Sequence, residues 1–153
     1  MDKNIDYKKK YHKYKSLYTR LRAIRMANPS AQTHRLPIQN PPHCPTFDLI
    51  SSGVKTVEGR KNSPSYHSYR VGDILIFEHK KRQVQTIITA IKKYVTLEDY
   101  LEAESFDKVL PCAHIKSFAD AVNQYNQWSR QSDREALAKT YGYGFLGIHV
   151  QKI

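Results

Sequence analysis

The sequence predicts a mixed α+β fold, in which helices flank an antiparallel, barrel-like β-sheet and a basic helix precedes it. Three observations support this prediction. Segments rich in β-branched residues fill the middle of the chain, helical patterns follow them, and an alternating strand ends the chain. The length of 153 residues suits one compact domain with an appendage. We place the appendage at 1–30, a linker at 31–45 and the folded domain at 46–153.

The segment 1–30 has the pattern of an amphipathic helix. Four tyrosines and a leucine recur at helical spacing, at Tyr7, Tyr11, Tyr14, Tyr18 and Leu21. Lysines occupy the opposite face, and Asn28, Pro29 and Ser30 are expected to end the helix.

Most of the positive charge lies in the first 35 residues. They carry ten lysines and arginines against two aspartates, which is +8 of the net charge of +11. A basic helix can lie along phosphates while its tyrosine rings stack on bases. We therefore predict that it binds RNA, or else DNA, through Lys8, Lys9, Lys10, Lys13 and Lys15. Two alternatives stay open: the tyrosine stripe docks on the domain or a protein partner, or the helix meets an anionic membrane.

Composition argues against several other classes of protein. No apolar segment approaches the roughly 18 residues of a membrane-spanning helix, and no apolar signal-peptide core is present at the N-terminus. We therefore expect an intracellular protein that is not secreted. Two cysteines make no disulfide framework, and the spacing of His43, Cys44, Cys112 and His114 is poor for zinc. We predict neither a metal nor another cofactor.

The linker and the first half of the domain are predicted to be mainly extended. The linker contains a first short strand over 34–38, after which Pro41, Pro42 and Pro45 prevent regular structure. Thr46 is the expected N-cap of a short helix, and Gly53 follows the C-terminus of that helix. Further strands are predicted over 55–61, 74–77 and 83–94, and the last two are joined by a hairpin with its tip at 79–82.

The second half is predicted to be mainly helical. Three pairs resemble capping boxes and so mark helix starts: Thr96 with Asp99, Ser117 with Asp120, and Ser132 with Glu135. We expect these helices to end near 103, 131 and 141. In the closing strand, 145–153, three alternating apolar side chains should face inward: Leu146, Ile148 and Val150.

Lys55, Glu58 and Arg60 form the chemically richest cluster. Lys55 follows the predicted corner between helix and strand, where we expect its side chain to point across an opening. On an extended strand Thr56, Glu58 and Arg60 share one face. Such a cluster can bind an anion or the polar edge of a base, and desolvation can lower the pKa of Lys55 toward that of a general base. The alternative is a structural Glu58–Arg60 pair beside a solvated lysine.

Aromatic residues near this cluster have two different expected roles. Tyr66 and Tyr69 lie in a polar loop, 62–69, directly after the Lys/Glu/Arg strand, where their rings suit stacking on a splayed base. Three aromatics in the helix that starts at Ser117 are instead predicted to belong to the core: Phe118, Tyr125 and Trp128.

The cluster resembles the signature of the ASCH family (activating signal cointegrator-1 homology), Gly-x-Lys-x-x-Glu-x-Arg. Gly53, Lys55, Glu58 and Arg60 match this signature in order and spacing. Later family features also appear: a Gly-Asp turn at 72–73, a helix start at 96–100 and a Tyr-Gly-x-x-Gly-Ile strand at 143–148. The resemblance covers about 34–153.

The resemblance implies a PUA-like β-barrel whose cleft is lined by Lys55, Glu58 and Arg60 and handles RNA or a modified base. Some small members resemble amidohydrolases that remove the acetyl group of N4-acetylcytidine with a lysine, a threonine three positions later and a distant glutamate. Glu58 occupies the threonine position here. The candidates for the distant glutamate are Glu98, Glu102 and Glu104.

We therefore predict a binding module that grips RNA or a modified base in this cleft. The cleft residues would be Lys55, Glu58, Arg60, Tyr66 and Tyr69. The alternative is a hydrolase, either a nucleoside amidohydrolase or a ribonuclease, with Lys55 as general base and Glu58 as its partner.

Overall fold

A curled five-stranded sheet, a half-barrel, forms the centre of the fold. The computed structural model describes the backbone of residues 3–153 and the side chains of residues 6–153. The strands are β1 (Thr33–Pro37), β2 (Val57–Lys61), β3 (Ile74–His79), β4 (Arg82–Tyr94) and β5 (Phe145–Lys152). Their order across the sheet is β1-β3-β4-β5-β2. The predicted α+β class with a barrel-like sheet is confirmed.

Pairing within the sheet is antiparallel except at one edge. β3, β4, β5 and β2 pair in antiparallel fashion, whereas β1 pairs with β3 in parallel. The predicted antiparallel pairing therefore joins β2 through β5 into one sheet, and only the edge strand β1 differs from it. The connection from β1 back to β3 passes through the helix and strand of the 46–61 segment, which is long enough to return the chain in the same direction.

Six helices accompany the sheet within the described residues. They are α1 (Lys3–Ala27), α2 (Thr46–Ser51), α3 (Leu97–Glu104), α4 (Phe106–Val109), α5 (Phe118–Trp128) and α6 (Gln131–Tyr141). A 3-10 turn, Pro64–Tyr66, interrupts the predicted polar loop. None of these helices combines the length and the apolar character needed to cross a membrane.

Helix starts follow the predicted capping signals in two cases of four. Thr96 and Asp99 form the expected capping box, and Ser117 accepts a hydrogen bond from the backbone of Asp120. The predicted caps at Thr46 and Ser132 are wrong, because α2 begins after Pro45 and α6 after Arg130, each without a side-chain cap. The short helix α4 was not predicted, since four residues are too few to show a period.

The core divides into two clusters, one on each face of the sheet. One lies between the sheet and α3 to α5 and includes Tyr100 and Phe145; the other fills the inside of the curl and includes Phe77 and Ile148. Tyr100 is fully buried against β2, where a Cβ at Gly59 would lie 2.6 Å from its hydroxyl oxygen. Glycine at position 59 therefore allows the helices to cover the strand that carries Glu58 and Arg60.

The helix α1 meets the domain through its C-terminal half. Leu17, Leu21 and Ile24 are partly buried, and Asn28 beyond the helix donates to the carboxylate of Asp73 over 3.1 Å. The tyrosine stripe is exposed: the exposed fractions of Tyr7, Tyr11, Tyr14 and Tyr18 range from 63% to 78%. Docking of the stripe on the domain is therefore not observed. Met1 and Asp2, which belong to the predicted 1–30 segment, lie outside the described residues.

Candidate functional site

A cleft with a volume of about 410 Å³ opens beside the edge strand β2. Glu58 and Arg60 line it from β2, and Tyr66 lines it from the 3-10 turn. The opposite wall contains Tyr125 and Trp128 of α5. Residues far apart in the sequence thus form one concave surface of the size that binds small ligands, roughly 300–1,000 Å³.

Arg60 and Glu58 form an ion pair within the cleft. The Nε atom of Arg60 donates to Oε1 of Glu58 over 3.1 Å, and Nη1 reaches the Tyr66 hydroxyl at 3.5 Å. Burial lowers the pKa of Arg60, but the Glu58 carboxylate and Tyr66 outweigh it and the pKa is raised overall. The guanidinium is therefore a permanent donor at a fixed position.

The second oxygen of the same carboxylate is the notable polar group of the site. Glu58 is 7% exposed, and its Oε2 atom has no hydrogen-bond partner among the described residues. Lys55 Nζ lies 3.8 Å from this oxygen, beyond hydrogen-bonding distance. A buried acceptor without a donor costs free energy, so a ligand that presents an N–H or O–H group to Oε2 would recover part of that cost.

Lys55 is placed differently from the prediction. It is 3% exposed, and its Nζ donates to the carbonyl oxygens of Val57 at 2.7 Å and Val109 at 2.5 Å. Burial lowers the pKa of Lys55, and the Glu58 carboxylate opposes that shift. The ammonium joins β2 to the end of α4 and supports the Glu58 carboxylate. The prediction of a side chain pointing freely across the opening is wrong.

Two further residues that were predicted to lie beside Glu58 and Arg60 are found away from the cleft. Thr56 precedes the first residue of β2 and lines a separate cavity next to α1, so it does not share the surface of Glu58 and Arg60. Tyr69 is buried and stacks on the ring of His34, with 4.0 Å between ring centroids. Its ring packs between β1 and the core of the curl, whereas Tyr66 lies in the cleft wall as expected.

Trp128 is the site residue that sequence reasoning missed. It was predicted to belong to the core, but 45% of it is exposed and it lines the cleft. Its ring meets Tyr125 edge-on at 5.4 Å, and Tyr125 is buried as predicted. Phe118, at the start of the same helix, is 37% exposed rather than core. Helical spacing alone does not indicate whether an aromatic side chain of the helix faces the core or borders a cleft.

The lysines of α1 whose side chains are described are exposed and do not line the cleft. This holds for all five predicted contacts, whose side chains are described: Lys8, Lys9, Lys10, Lys13 and Lys15. Lys10 pairs with Asp6 at 3.1 Å. Any contribution of these lysines to binding is therefore separate from that of Glu58 and Arg60.

The candidate distant glutamates also lie outside the cleft. Glu98 and Glu102 are exposed on α3. Glu104 accepts hydrogen bonds from the Tyr94 hydroxyl at 2.6 Å and from the His149 ring at 2.7 Å. Burial raises the pKa of Glu104, but these two hydrogen bonds outweigh it, and the pKa is lowered. No member of this set accompanies Lys55 in the cleft.

Cys44 and Cys112 are joined by a disulfide, with 5.0 Å between their Cα atoms. The sequence pattern predicted no disulfide framework, and this single bond corrects that expectation. The two cysteines lie 68 positions apart in the sequence, and this separation does not indicate that the fold brings them together. Thr46 and Leu110, each two residues from one of the cysteines, line the cleft. The bond therefore ties together two segments of the cleft rim.

The family can be decided from a comparison that spans most of the domain. The ASCH domain family model matches residues 43–149, which include Gly53, Lys55, Glu58 and Arg60. The chain belongs to the ASCH domain family. The match extends from the disulfide-linked rim into β5 and includes most of the cleft lining. The helix α1 and the strand β1 precede the matched region, as do Ile38 and Gln39 of the lining.

Solved structures agree with this ASCH domain assignment. The crystal structure of the hypothetical protein PH0355 is 28% identical, covers 80% of this chain and 99% of its own, and has a TM-score of 0.63. The solution NMR structure of protein PF0455 from Pyrococcus furiosus is 24% identical and covers 79% of this chain and 97% of its own, with a TM-score of 0.59; it supports the fold alone. No curated protein matches the sequence. The half-barrel is thus the PUA-like fold of an ASCH domain.

Proposed function

We propose that this ASCH domain is a binding module that holds a base of RNA, ordinary or modified, in the cleft beside β2. The observation that carries the proposal is the buried Oε2 atom of Glu58, which accepts no hydrogen bond from the described residues. Because Oε2 is closed off from the cleft in the structure, a small rotation of the Glu58 carboxylate would have to present it to a ligand N–H group, which would then satisfy it. The proposal thus assigns Oε2 of Glu58 to the ligand, while Oε1 keeps its hydrogen bond from Arg60.

The groups around Glu58 suit the edge of a nucleobase. Glu58 supplies an acceptor and the neighbouring Arg60 guanidinium supplies donors, so a base edge with an N–H beside a carbonyl would be matched on both sides. Tyr66 and Trp128 border the same cleft. Aromatic rings beside hydrogen-bonding groups are typical of sites that hold an unstacked base of single-stranded RNA.

The basic helix α1 supplies a second, nonspecific contribution to binding. Its lysines from Lys8 onward and its four tyrosines are exposed to solvent, so phosphates and bases have access to both. RNA is favoured over DNA because the family resemblance implies RNA. A protein that docks on the exposed tyrosine stripe is the alternative occupant of this helix.

A hydrolase is the second candidate function, and one observation favours it: burial lowers the pKa of Lys55, as a general base requires. Two observations count against it. The ammonium donates to two backbone carbonyls, and Glu58 occupies the position at which the amidohydrolases have threonine. We therefore rank binding above catalysis.

Titration of the full-length protein with the four ribonucleoside 5′-monophosphates, followed by NMR, tests the proposal. We expect the preferred nucleotide to shift resonances of β2 and α5, and Glu58→Gln to weaken its binding roughly tenfold, because a hydrogen bond to a charged group contributes about 1.5 kcal/mol. Glu102→Gln, which removes an exposed carboxylate from α3, is the matched control and should bind like the parent.

If the parent and Glu58→Gln bind each of the four nucleotides with the same affinity, the cleft proposal is refuted. The hydrolase is tested in the same samples by following acetate release from N4-acetylcytidine and cleavage of a labelled RNA. Turnover that survives in Glu102→Gln and disappears in both Glu58→Gln and Lys55→Met would reverse our ranking of the two functions.

A further inference from the structure

A second cavity, with a volume of about 510 Å³, lies next to the cleft. Four tyrosines line it: Tyr66, Tyr69, Tyr141 and Tyr143. Two cationic side chains, Arg70 and Lys93, also contribute to its lining. Neither the proposed cleft nor the basic helix accounts for this combination of rings and positive charge.

The rings at the mouth of the cavity are open to solvent. Tyr141 is 45% exposed and Tyr143 is 42% exposed, at the junction of α6 and β5. Tyr141 meets the ring of His67 edge-on, with 4.8 Å between centroids. Large aromatic surfaces in a concave site are suited to stacking on a flat ligand.

A buried polar residue holds this junction in place. Asn62 is 4% exposed, and its Nδ2 atom donates to the carbonyl oxygen of Tyr143 over 2.9 Å. Its backbone N–H donates to the carbonyl of Gly144 at 3.0 Å, and its Oδ1 lies 3.0 Å from the His67 ring. The two aromatic segments that face each other across the cavity are therefore fixed relative to each other before any ligand binds.

The cations lie on another side of the cavity. Nη1 of Arg70 donates to the carbonyl oxygens of His67 at 2.6 Å and Tyr69 at 2.9 Å, which fixes the guanidinium beside the 3-10 turn. Lys93 is exposed near the end of β4. A positive charge beside aromatic rings suits a phosphate attached to a base, and the nearness of the cleft indicates where the rest of the strand lies.

Tyr66 connects the two cavities, because it lines both. Its hydroxyl lies 3.5 Å from Arg60 Nη1 on the cleft side. A ligand longer than one nucleotide would pass over this ring from one cavity to the other.

We propose that the second cavity binds the nucleotide adjacent to the base held in the cleft, with its base against Tyr141 or Tyr143 and its phosphate near Arg70 and Lys93. The site thus takes at least two consecutive nucleotides of a single strand. This inference rests on the proposed function of the cleft and specifies the length of the ligand.

The test compares the preferred monophosphate with the single-stranded RNA tetranucleotide of the same base, and with its DNA counterpart, on the full-length protein at one salt concentration. We expect the tetranucleotide of the preferred base to bind roughly tenfold more tightly than the monophosphate. The stacking of one additional base on an aromatic ring strengthens binding by about this factor. Tyr141→Ala with Tyr143→Ala should remove most of this gain and leave the monophosphate affinity unchanged.

Three controls make the comparison decisive. Tyr141→Phe with Tyr143→Phe retains the rings and should retain the gain. Phe118→Ala, which removes an exposed aromatic ring elsewhere, should retain it as well. The gain for RNA relative to DNA reports whether a 2′-hydroxyl is recognised in addition to the base and phosphate.

The outcomes separate the two proposals. A tetranucleotide that binds no more tightly than the monophosphate, or a gain that survives the double alanine variant, overturns the second site and leaves the cleft proposal standing. Monophosphate binding that is insensitive to Glu58→Gln overturns the cleft proposal, and this inference with it.

Discussion

The guanidinium of Arg60 engages only one oxygen of the Glu58 carboxylate. Nε donates to Oε1 over 3.1 Å, while Oε2 lies buried without a hydrogen bond from the described residues. A pair that served stability alone would gain from using both oxygens, as bidentate arginine–carboxylate pairs do. The observed geometry leaves Oε2 without a donor among the described residues, which is the basis of the proposed ligand contact.

Reversing the charge at position 58 should destabilise the protein as well as impair binding. Glu58→Lys would place a third cation beside Lys55 and Arg60 in a buried position. We expect a loss of about 3–5 kcal/mol in the free energy of unfolding, measured by urea denaturation, because uncompensated buried charges are costly. Glu102→Lys on the exposed face of α3 is the control. If both variants unfold at the same urea concentration as the parent, Glu58 is not the counter-charge of this cluster.

Removing the Lys55 ammonium should loosen the junction between β2 and α4. Lys55→Met has a similar shape, but it leaves the carbonyl oxygens of Val57 and Val109 without their donor. Each buried unsatisfied group costs about 1–3 kcal/mol, so a loss of at least about 2 kcal/mol in unfolding free energy is expected. Amide hydrogen exchange should speed up locally in β2 and α4. Lys108→Met, at an exposed position of α4, should change neither quantity.

Neutralising the basic helix should reduce the salt dependence of RNA binding. Replacing Lys8, Lys9, Lys10, Lys13 and Lys15 by glutamine removes exposed charge without altering the cleft. Each lost phosphate contact lowers the slope of log affinity against log salt by about 0.7 for a single strand, so a decrease of up to about 3.5 is expected for five contacts. The matched control replaces five exposed lysines of the domain: Lys80, Lys81, Lys108, Lys116 and Lys139. Equal slopes for the two variants would assign the effect to net charge rather than to α1.

Asp73 should make the protein sensitive to acid. Burial raises the pKa of Asp73, but hydrogen bonds from the Gln32 backbone, the His34 ring and the Arg70 backbone outweigh it, and the pKa falls below its ordinary value of 3.8. A carboxyl group whose pKa is depressed by folding stabilises the protein above its unfolded pKa, and this stabilisation is lost as the pH falls through the folded pKa.

We therefore expect Asp73→Asn to cost about 2 kcal/mol at pH 7 and to cost less as the pH is lowered from 5 toward 3. Urea denaturation at several pH values measures both effects. Asp107→Asn, at an exposed position, should show neither. If the cost of Asp73→Asn is the same at pH 7 and pH 3, the ionised form of the Asp73 carboxylate does not provide the stabilisation.

Local features of the fold were predictable from sequence because their causes are local. The capping box of Thr96 and Asp99 joins residues three positions apart, and Gly53 has a positive φ of 79° directly after α2, as a helix-ending glycine should. The strands β3, β4 and β5 were recognised from their β-branched and alternating residues. The signature Gly53, Lys55, Glu58 and Arg60 indicated the family, which the family model confirms.

The tertiary structure decided what these residues contact. Lys55 bonds to a carbonyl 54 positions away, Tyr69 stacks on His34, and Trp128 of α5 forms a wall opposite Glu58. No short-range period encodes such pairs, because they depend on how the sheet curls and on where α4 and α5 cover it. The sequence by itself thus determined which side chains belong to the signature and that a strand carries Glu58 and Arg60, although the strand begins at Val57 rather than at the predicted Lys55. Burial by distant segments determined that Lys55 serves as an internal support and that Oε2 of Glu58 lacks a hydrogen-bond donor among the described residues.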